Sequence, residues 1–337
     1  MKISFCIPTY NRCDVLEELI KSISTQEKHS FDIEICVSDN ASTDGTTESI
    51  ERWKEMYGVP IIYKKNEKNI GPDRNYLAAV SLASGDYCWL LGSDDLLSPD
   101  ALYKLGIVIS SKCDLYLCDR KEFDMEMKSV KLEHRKWLDS DSAIFSLKNE
   151  VDYINYFNKC KTLGGVFSYL SSLIVRRELW DSVVFDNAYI GSAYAHVYVL
   201  FSMMKIGVEF RIEYISQTLV WCRGDNDSFL EEGIAKRAAI DLKGYVNFAY
   251  AFYADKKTRD SLINVLLRER PWFYNSLIIG HYGSSIIKSD VAECYAKMGK
   301  NKIFTYLFFS LGTLGFYAYK ISFIRKNIAP LIKSIRS

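Results

Sequence analysis

The stretch Trp89-Leu90-Leu91-Gly92-Ser93-Asp94-Asp95 decides how the rest of the chain is read. Residues 87–91 are apolar or nearly so and predict a buried strand, which Gly92 breaks. Asp94 and Asp95 stand side by side just beyond its end. Adjacent carboxylates repel each other, and a hard divalent cation is the commonest reason for such a pair. The plainer reading is that one of the two caps a helix starting near Pro99 and Asp100.

Working backwards, residues 3–7 predict a short strand ending at Pro8. Val15, Leu16, Leu19, Ile20 and Ile23 recur at helical spacing. A second strand over 33–37 leads through Ser42-Thr43-Asp44-Gly45 to a helix over 46–56. A third strand over 59–63 and a helix over 72–84 precede the 87–91 strand. Strict alternation of strand and helix implies a parallel sheet covered by helices, in which ligands bind beyond the carboxyl ends of the strands. Each polar cluster falls at that edge: Pro8-Thr9-Tyr10-Asn11, Ser38-Asp39-Asn40, residues 66–75, and residues 92–95. This shared location is a stronger signal than any one motif.

Composition bounds the reading. The 337 residues suit one large domain or two small ones, and a net charge of +1 offers no field that would argue for nucleic acid as partner. Nine cysteines, an odd number without metal-ligand spacing, point to reduced and mostly buried thiols in a cytoplasm. The chain enters Lys2-Ile3-Ser4-Phe5-Cys6-Ile7 directly, so no secretory leader is expected. Beyond residue 105, a strand is expected over 114–118 and a surface insertion over 119–149, followed by a strand over 171–175 and a helix from Arg176. From Lys300 onward there is no acidic residue, while Lys300, Lys302, Lys320, Arg325, Lys326, Lys333 and Arg336 are basic. Residues 303–319 are uncharged and rich in Phe, Tyr and Leu. As a helix they would span about 25 Å, marginal for crossing a bilayer and better suited to lying in its interface, with the basic flanks on anionic lipid. The alternative is an apolar helix packed on the catalytic domain.

Four segments, "CIPTYN" (6–11), "VSDNASTDGT" (37–46), "NIGPDRN" (69–75) and "ASGDYCWLLGSDDLLSPDAL" (83–102), together resemble the family 2 glycosyltransferases. The resemblance covers roughly the first 105 residues. It implies an α/β GT-A fold, the Rossmann-like nucleotide-diphosphosugar transferase fold with a mostly parallel central sheet, plus a helical C-terminal region. The expected domains are 1–230 (donor-binding half 1–105, acceptor half 106–230) and 231–337, ending in a membrane-associating tail over 300–337. The implied activity is that of a hexosyltransferase-type glycosyltransferase, moving a sugar from a nucleotide diphosphate donor to a polyprenyl-diphosphate-linked or other saccharide acceptor. The implied location is the inner face of the cytoplasmic membrane, peripherally attached.

The resemblance also distributes roles. Thr9 and Tyr10, with Pro8 and Asn11, would surround the nucleotide base, and Asp39 would accept a hydrogen bond from it. Arg74 and Asn75, with Asn69 and Gly71, would line the same pocket; a surface ion pair is the plainer reading for Arg74. Asp94 and Asp95 would approach the ribose and hold Mn²⁺ or Mg²⁺ on the diphosphate, with Ser93 beside them in the donor site and Asp95 taking part in catalysis. In the late loop "WCRGDNDSF" (221–229), Arg223 would reach the diphosphate and Ser228 fits the family pattern, while Asp225 stands where histidine is common.

Two departures matter. The family usually has an Asp two residues before Asp94, where this chain has Gly92. The family also places an acidic pair, including its catalytic base, where this chain reads Ile190-Gly191-Ser192-Ala193-Tyr194-Ala195-His196-Val197. His196 is therefore the candidate proton acceptor there, against a packing role on an apolar helix, and a front-face retaining reaction that needs no base stays open. The Gly-Ser-Asp-Asp variant and the Gly-Ser-x-Tyr-x-His stretch resemble abequosyltransferase-type enzymes of bacterial O-antigen assembly, which implies a CDP-linked dideoxyhexose donor. Two rivals differ in kind. A glycosyltransferase-like binding protein would bind nucleotide with little metal dependence. A nucleotidyltransferase would need a glycine-rich triphosphate loop, and residues 8–14 contain no glycine.

Overall fold

A computed structural model describes residues 1–27, 31–224 and 233–315, with 317, 318, 320, 321 and 326. The first hundred residues alternate as expected: β1 (Lys2–Thr9), α1 (Cys13–Ser24), β2 (Asp32–Asp39), α2 (Thr46–Tyr57), β3 (Ile61–Lys65), α3 (Pro72–Ser81) and β4 (Tyr87–Leu90). β1, β2 and β4 are buried along nearly their whole length, as strands covered on both faces must be. α1 turns Leu16, Leu19, Ile20 and Ile23 into the core, and each such side chain contributes about 1.5–3 kcal/mol.

The chain continues through β5 (Leu96–Leu97), α4 (Ala101–Val108), β6 (Leu115–Phe123), β7 (Val130–Arg135), β8 (Ala143–Leu147), α5 (Glu150–Lys159), β9 (Leu173–Arg176), α6 (Arg177–Asp181), α7 (Ala195–Met203) and β10 (Phe210–Arg223). The strands form one sheet in the order β3-β2-β1-β4-β9-β6-β10-β5, with β7 on β6 and β8 on β10. β1 to β4 are mutually parallel, β9 is antiparallel to both β4 and β6, and β10 returns parallel to β6. Residues 119–149 are thus not an insertion on the surface. They complete β6 and supply β7 and β8. Their charges belong to strands with an exposed face, where long polar side chains alternate with residues turned inward, such as Leu147 on β8.

By mutual contact the residues group into two compact units, 1–226 with 252–265 and 227–251 with 266–337. The helices that follow the sheet are α8 (Ile234–Phe252), α9 (Lys256–Glu269), α10 (Trp272–Tyr282), α11 (Ser285–Lys297) and α12 (Lys302–Ser310). Within the second unit, α10 and the turn after α12 touch backbone to backbone. A Cβ on Gly280 would stand 2.3 Å from the Phe309 carbonyl oxygen, and one on Gly312 would stand 2.6 Å from the Gly280 carbonyl carbon. Only glycine permits that crossing. Thr305, Phe309 and Gly312 face inward, while Ile303, Phe304, Leu307, Leu311, Leu314, Tyr317 and Ile321 are exposed, Ile303 at 79% and Leu314 at 76%. No helix among the described residues is long and apolar enough to cross a membrane. Arg325, Lys333 and Arg336 lie outside the described residues.

Candidate active site at the carboxyl edge of the sheet

The ends of β1 and β2 pair in register, Thr9 opposite Asp39. Asp39 is fully buried and accepts hydrogen bonds from the Ser42 amide (2.9 Å) and the Tyr63 hydroxyl (2.7 Å). A carboxylate has about four acceptor positions, so Asp39 retains capacity for a further donor. Thr9 lies beside it with a buried hydroxyl that has no partner among the described residues, an unspent polar group at the mouth of the edge. Pro8 is buried, whereas Tyr10 is 47% exposed and presents a ring face for stacking.

The amides of this edge are spent on the loops themselves. Asn75 donates to the carbonyls of Thr9 (3.2 Å) and Ser38 (3.0 Å) and accepts from the Ser38 hydroxyl and the Asn66 amide, strapping β1 to β2. Asn69 accepts from Asn40 and from the Gly71 amide, and Gly71, at φ +82°, turns the chain into α3. Asn11 accepts from the Thr43 amide, and its own amide donates to the Ser42 hydroxyl. Arg74 is exposed at the start of α3.

The acidic pair follows β4. Asp95 is buried; its Oδ2 accepts from the hydroxyls of Tyr169 (2.6 Å) and Ser171 (2.5 Å), and its Oδ1 from the Arg223 amide (3.3 Å). Burial, and next the charge of Asp94, push its pKa up to about 6 against the hydroxyls that favour the anion. Asp94 pairs with the Arg12 guanidinium at 2.9 Å. Ser93 between Gly92 and Asp94 is buried. Neither aspartate caps the next helix, because β5 intervenes and Asp100 precedes α4. A Cβ at Gly92 would lie 3.1 Å from Asp94 Oδ1 and 3.3 Å from Asp95 Oδ2, so a side chain there would press on both carboxylates. No group of three or more His, Cys, Asp or Glu side chains among the described residues could hold a metal ion. Two adjacent carboxylates, one held against its charge, nevertheless fit Mg²⁺ or Mn²⁺, which take oxygen ligands and fill the rest of the shell with water or substrate oxygens.

Arg223 is not poised to reach outward. Its Nε donates to the Asp94 carbonyl, Nη1 to the Met125 carbonyl and Nη2 to Glu18, and its side chain is nearly enclosed. It clamps the pair from behind. Asp225 and Ser228 lie outside the described residues.

His196, the second residue of α7, is buried among Cys6, Pro8, Tyr76, Leu90, Leu170 and Trp180 rather than against either aspartate. Its Nε2 contacts the Phe167 carbonyl at 3.1 Å, which places the proton on that nitrogen and leaves Nδ1 a buried lone pair with no partner among the described residues. Burial lowers its pKa to about 4, with the Phe167 contact opposing, so the ring is neutral near pH 7. Where a proton acceptor was expected, the geometry is that of a packed imidazole. The loop before it is held by Asp73, which accepts from the amides of Gly191 (2.7 Å) and Ala193 (3.2 Å).

Several residues of the site carried no mark in the sequence. Tyr169 and Ser171 reach Asp95 from the approach to β9, more than seventy positions away. The Arg120 guanidinium stacks 3.9 Å from the centre of the Tyr169 ring and pairs with Glu122, which Arg135 also grips. Arg12 did carry a signal, a cation directly after "CIPTYN".

A family model described as Glycosyl transferase family 2 matches residues 4–174. The abequosyltransferase RfbV of Salmonella typhimurium is 48% identical over 334 residues, covering 99% of this chain and all of that relative. Among solved structures, Staphylococcus aureus TarS 1–349 in complex with UDP-GlcNAc superposes with a TM-score of 0.61 at 16% identity, covering 94% of this chain and 92% of that one. The Pyrobaculum calidifontis mannosyltransferase PcManGT in complex with GDP-Man and Mn²⁺ gives 0.52 at 14% identity, covering 94% and 86%. At these identities the two structures speak for the fold alone.

Proposed function

The chain belongs to glycosyl transferase family 2, and from that premise we propose that this glycosyltransferase takes a CDP-linked dideoxyhexose, such as CDP-abequose, as its donor. The acceptor in this reading is a lipid-linked saccharide of O-antigen or related surface-polysaccharide assembly. The observation that carries the reading is the end-to-end identity of 48% with an abequosyltransferase, a chain of matching length. Residues 1–105 form the donor half and 106–230 the acceptor half.

Tyr10 stacks on the base, and Asp39 accepts from the cytosine amino group. Asp94 and Asp95 hold Mn²⁺ or Mg²⁺, which when bound neutralises charge on the departing diphosphate. Tyr169 and Ser171 keep Asp95 aimed, while Arg223 fixes the backbone on which both aspartates sit. His196 supports Phe167 beneath the edge.

A thermal-shift panel of CDP, UDP, GDP and dTDP, each with and without Mn²⁺, tests this. CDP with Mn²⁺ at a hundredfold excess over its dissociation constant should stabilise the protein by about 2.7 kcal/mol, and the other nucleotides by less. Stabilisation indifferent to metal would favour a nucleotide-binding protein without turnover. No response to any nucleotide would remove the donor site.

We further propose that the exposed apolar side chains of Ile303, Phe304, Leu307, Leu311, Leu314, Tyr317 and Ile321, flanked by Lys300, Lys302, Lys320 and Lys326, rest on the inner face of the cytoplasmic membrane. The protein should float with vesicles containing anionic lipid and less with neutral ones. Leu307→Glu with Leu314→Glu should leave it in the dense fraction with donor binding unchanged.

A further inference from the structure

Asp94 is a proposed metal ligand, yet a guanidinium already sits on it. The Arg12 Nη1 lies 2.9 Å from Asp94 Oδ2, and both side chains are largely shielded from solvent, at 30% and 16% exposed. A divalent cation on the same carboxylate would stand within a few ångströms of the Arg12 charge, in a setting of reduced screening. The two cations therefore compete for Asp94.

Of the other arginines at this edge, Arg74 is exposed at the start of α3 and makes no contact with the acidic pair, and the two that lie against the pair are committed elsewhere. Arg223 is consumed by Asp94, Met125 and Glu18, and Arg120 is stacked on Tyr169 and bonded to Glu122. Arg12 differs. Only its contact to Asp94 is made, and among the described residues the rest of its fork has no partner. It stands directly after Asn11, between the end of β1 and the start of α1, on the edge where the donor is proposed to lie. A planar fork with unspent donors suits a diphosphate bidentately.

We propose that Arg12 is an internal counter-cation, occupying Asp94 while the site is empty and yielding it when metal and donor arrive together, its guanidinium then turning to the donor diphosphate. The inference rests on the donor-site reading above. Its physical logic is that Asp94 and Asp95, side by side, repel each other. Arg12 holds Asp94 in place without a bound metal and makes Mn²⁺ alone a poor ligand. Metal with nucleotide is a good one, because the diphosphate gives Arg12 somewhere to go. Binding is thus ordered by exchange of ion partners rather than by a moving loop.

The test uses the full chain and Mn²⁺ alone, followed by Mn²⁺ with CDP, reading free Mn²⁺ by electron paramagnetic resonance. Arg12→Gln should bind Mn²⁺ alone about threefold to tenfold more tightly than the native chain, the range expected for removing a partly shielded competing ion pair. It should also raise the donor KM about tenfold, by loss of a charge-assisted contact to phosphate. Arg12→Lys keeps the charge and loses the fork, so its affinity for Mn²⁺ alone should match the native chain while its donor KM rises. If Arg12→Gln bound Mn²⁺ no more tightly than the native chain, the exchange would be refuted. Should that variant not fold, judged by its melting curve, an unchanged donor KM in Arg12→Lys would refute the diphosphate half. Absence of Mn²⁺ binding by every chain even with CDP present would overturn the donor-site reading and the exchange with it.

Discussion

Asp94→Asn and Asp95→Asn should each lower kcat by about a thousandfold or more, the size of effect expected when charge stabilisation at a leaving group is removed. Both variants should remain folded: at 95 an asparagine oxygen keeps the hydroxyls of Tyr169 and Ser171, and at 94 the change weakens a single partly shielded pair with Arg12. Steady-state transfer assays together with melting curves check this. Activity close to native in both would dissolve the assignment of the pair.

Asp95 adds a signature in pH. It holds its proton more tightly folded, with a pKa of about 6, than an unfolded aspartate does at about 3.9. A raised acid favours the folded state fully below the unfolded value and loses that contribution as pH rises through the folded one. With divalent ions chelated, stability should therefore fall between about pH 4 and pH 6, by something on the order of 3 kcal/mol. Asp95→Asn should flatten that slope, measured as the difference in urea midpoint between the two chains across the range. A native slope surviving intact in the variant would assign it to other groups.

The second large effect is structural. Asp73→Ala should destabilise the protein by about 2 kcal/mol, since it removes a buried carboxylate on which the backbone amides of the turn before α7 converge. The donors are Gly191 and Ala193, with Ala195 at longer range, and both Gly191 and Ala193 hold positive φ. Without Asp73 the turn before α7 loses what pins it. Asp73→Asn, which keeps one acceptor oxygen, should cost roughly half as much. Urea unfolding of the three chains measures it, and equal stability in all three would show the turn to be held by other means.

How much of this could be read beforehand follows from burial. β1, β2 and β4 are continuous apolar runs because helices cover both faces of the sheet, and such runs stand out in a sequence. Residues 119–149 misled because β7 and β8 keep a solvent face, so Lys131, Glu133 and Ser146 interrupt the apolar pattern. The polar edge was legible as a place, since every strand ends there, but not as a network. Asn75 and Asn69 read as pocket-lining groups and turn out to bind the loops to one another. Tyr169 and Ser171 meet Asp95 only through the placement of β9, and no local pattern encodes a contact of that span. Asp73 sat inside a quoted motif, yet its task depends on a turn more than a hundred residues later.

β9 has a consequence for synthesis. Among the described residues, the sheet hydrogen bonding between β4 and β6 runs through its four residues, Leu173–Arg176. A ribosome completes β4 about eighty residues before it makes β9, a wait of roughly 4–16 s at ordinary elongation rates. Through that interval the β1–β4 block carries an open edge at Tyr87, Cys88 and Trp89, apolar on both sides and able to pair with another nascent chain. Yield in the cell is therefore sensitive to translation speed and to whatever shelters that edge, which equilibrium measurements on the finished protein do not register.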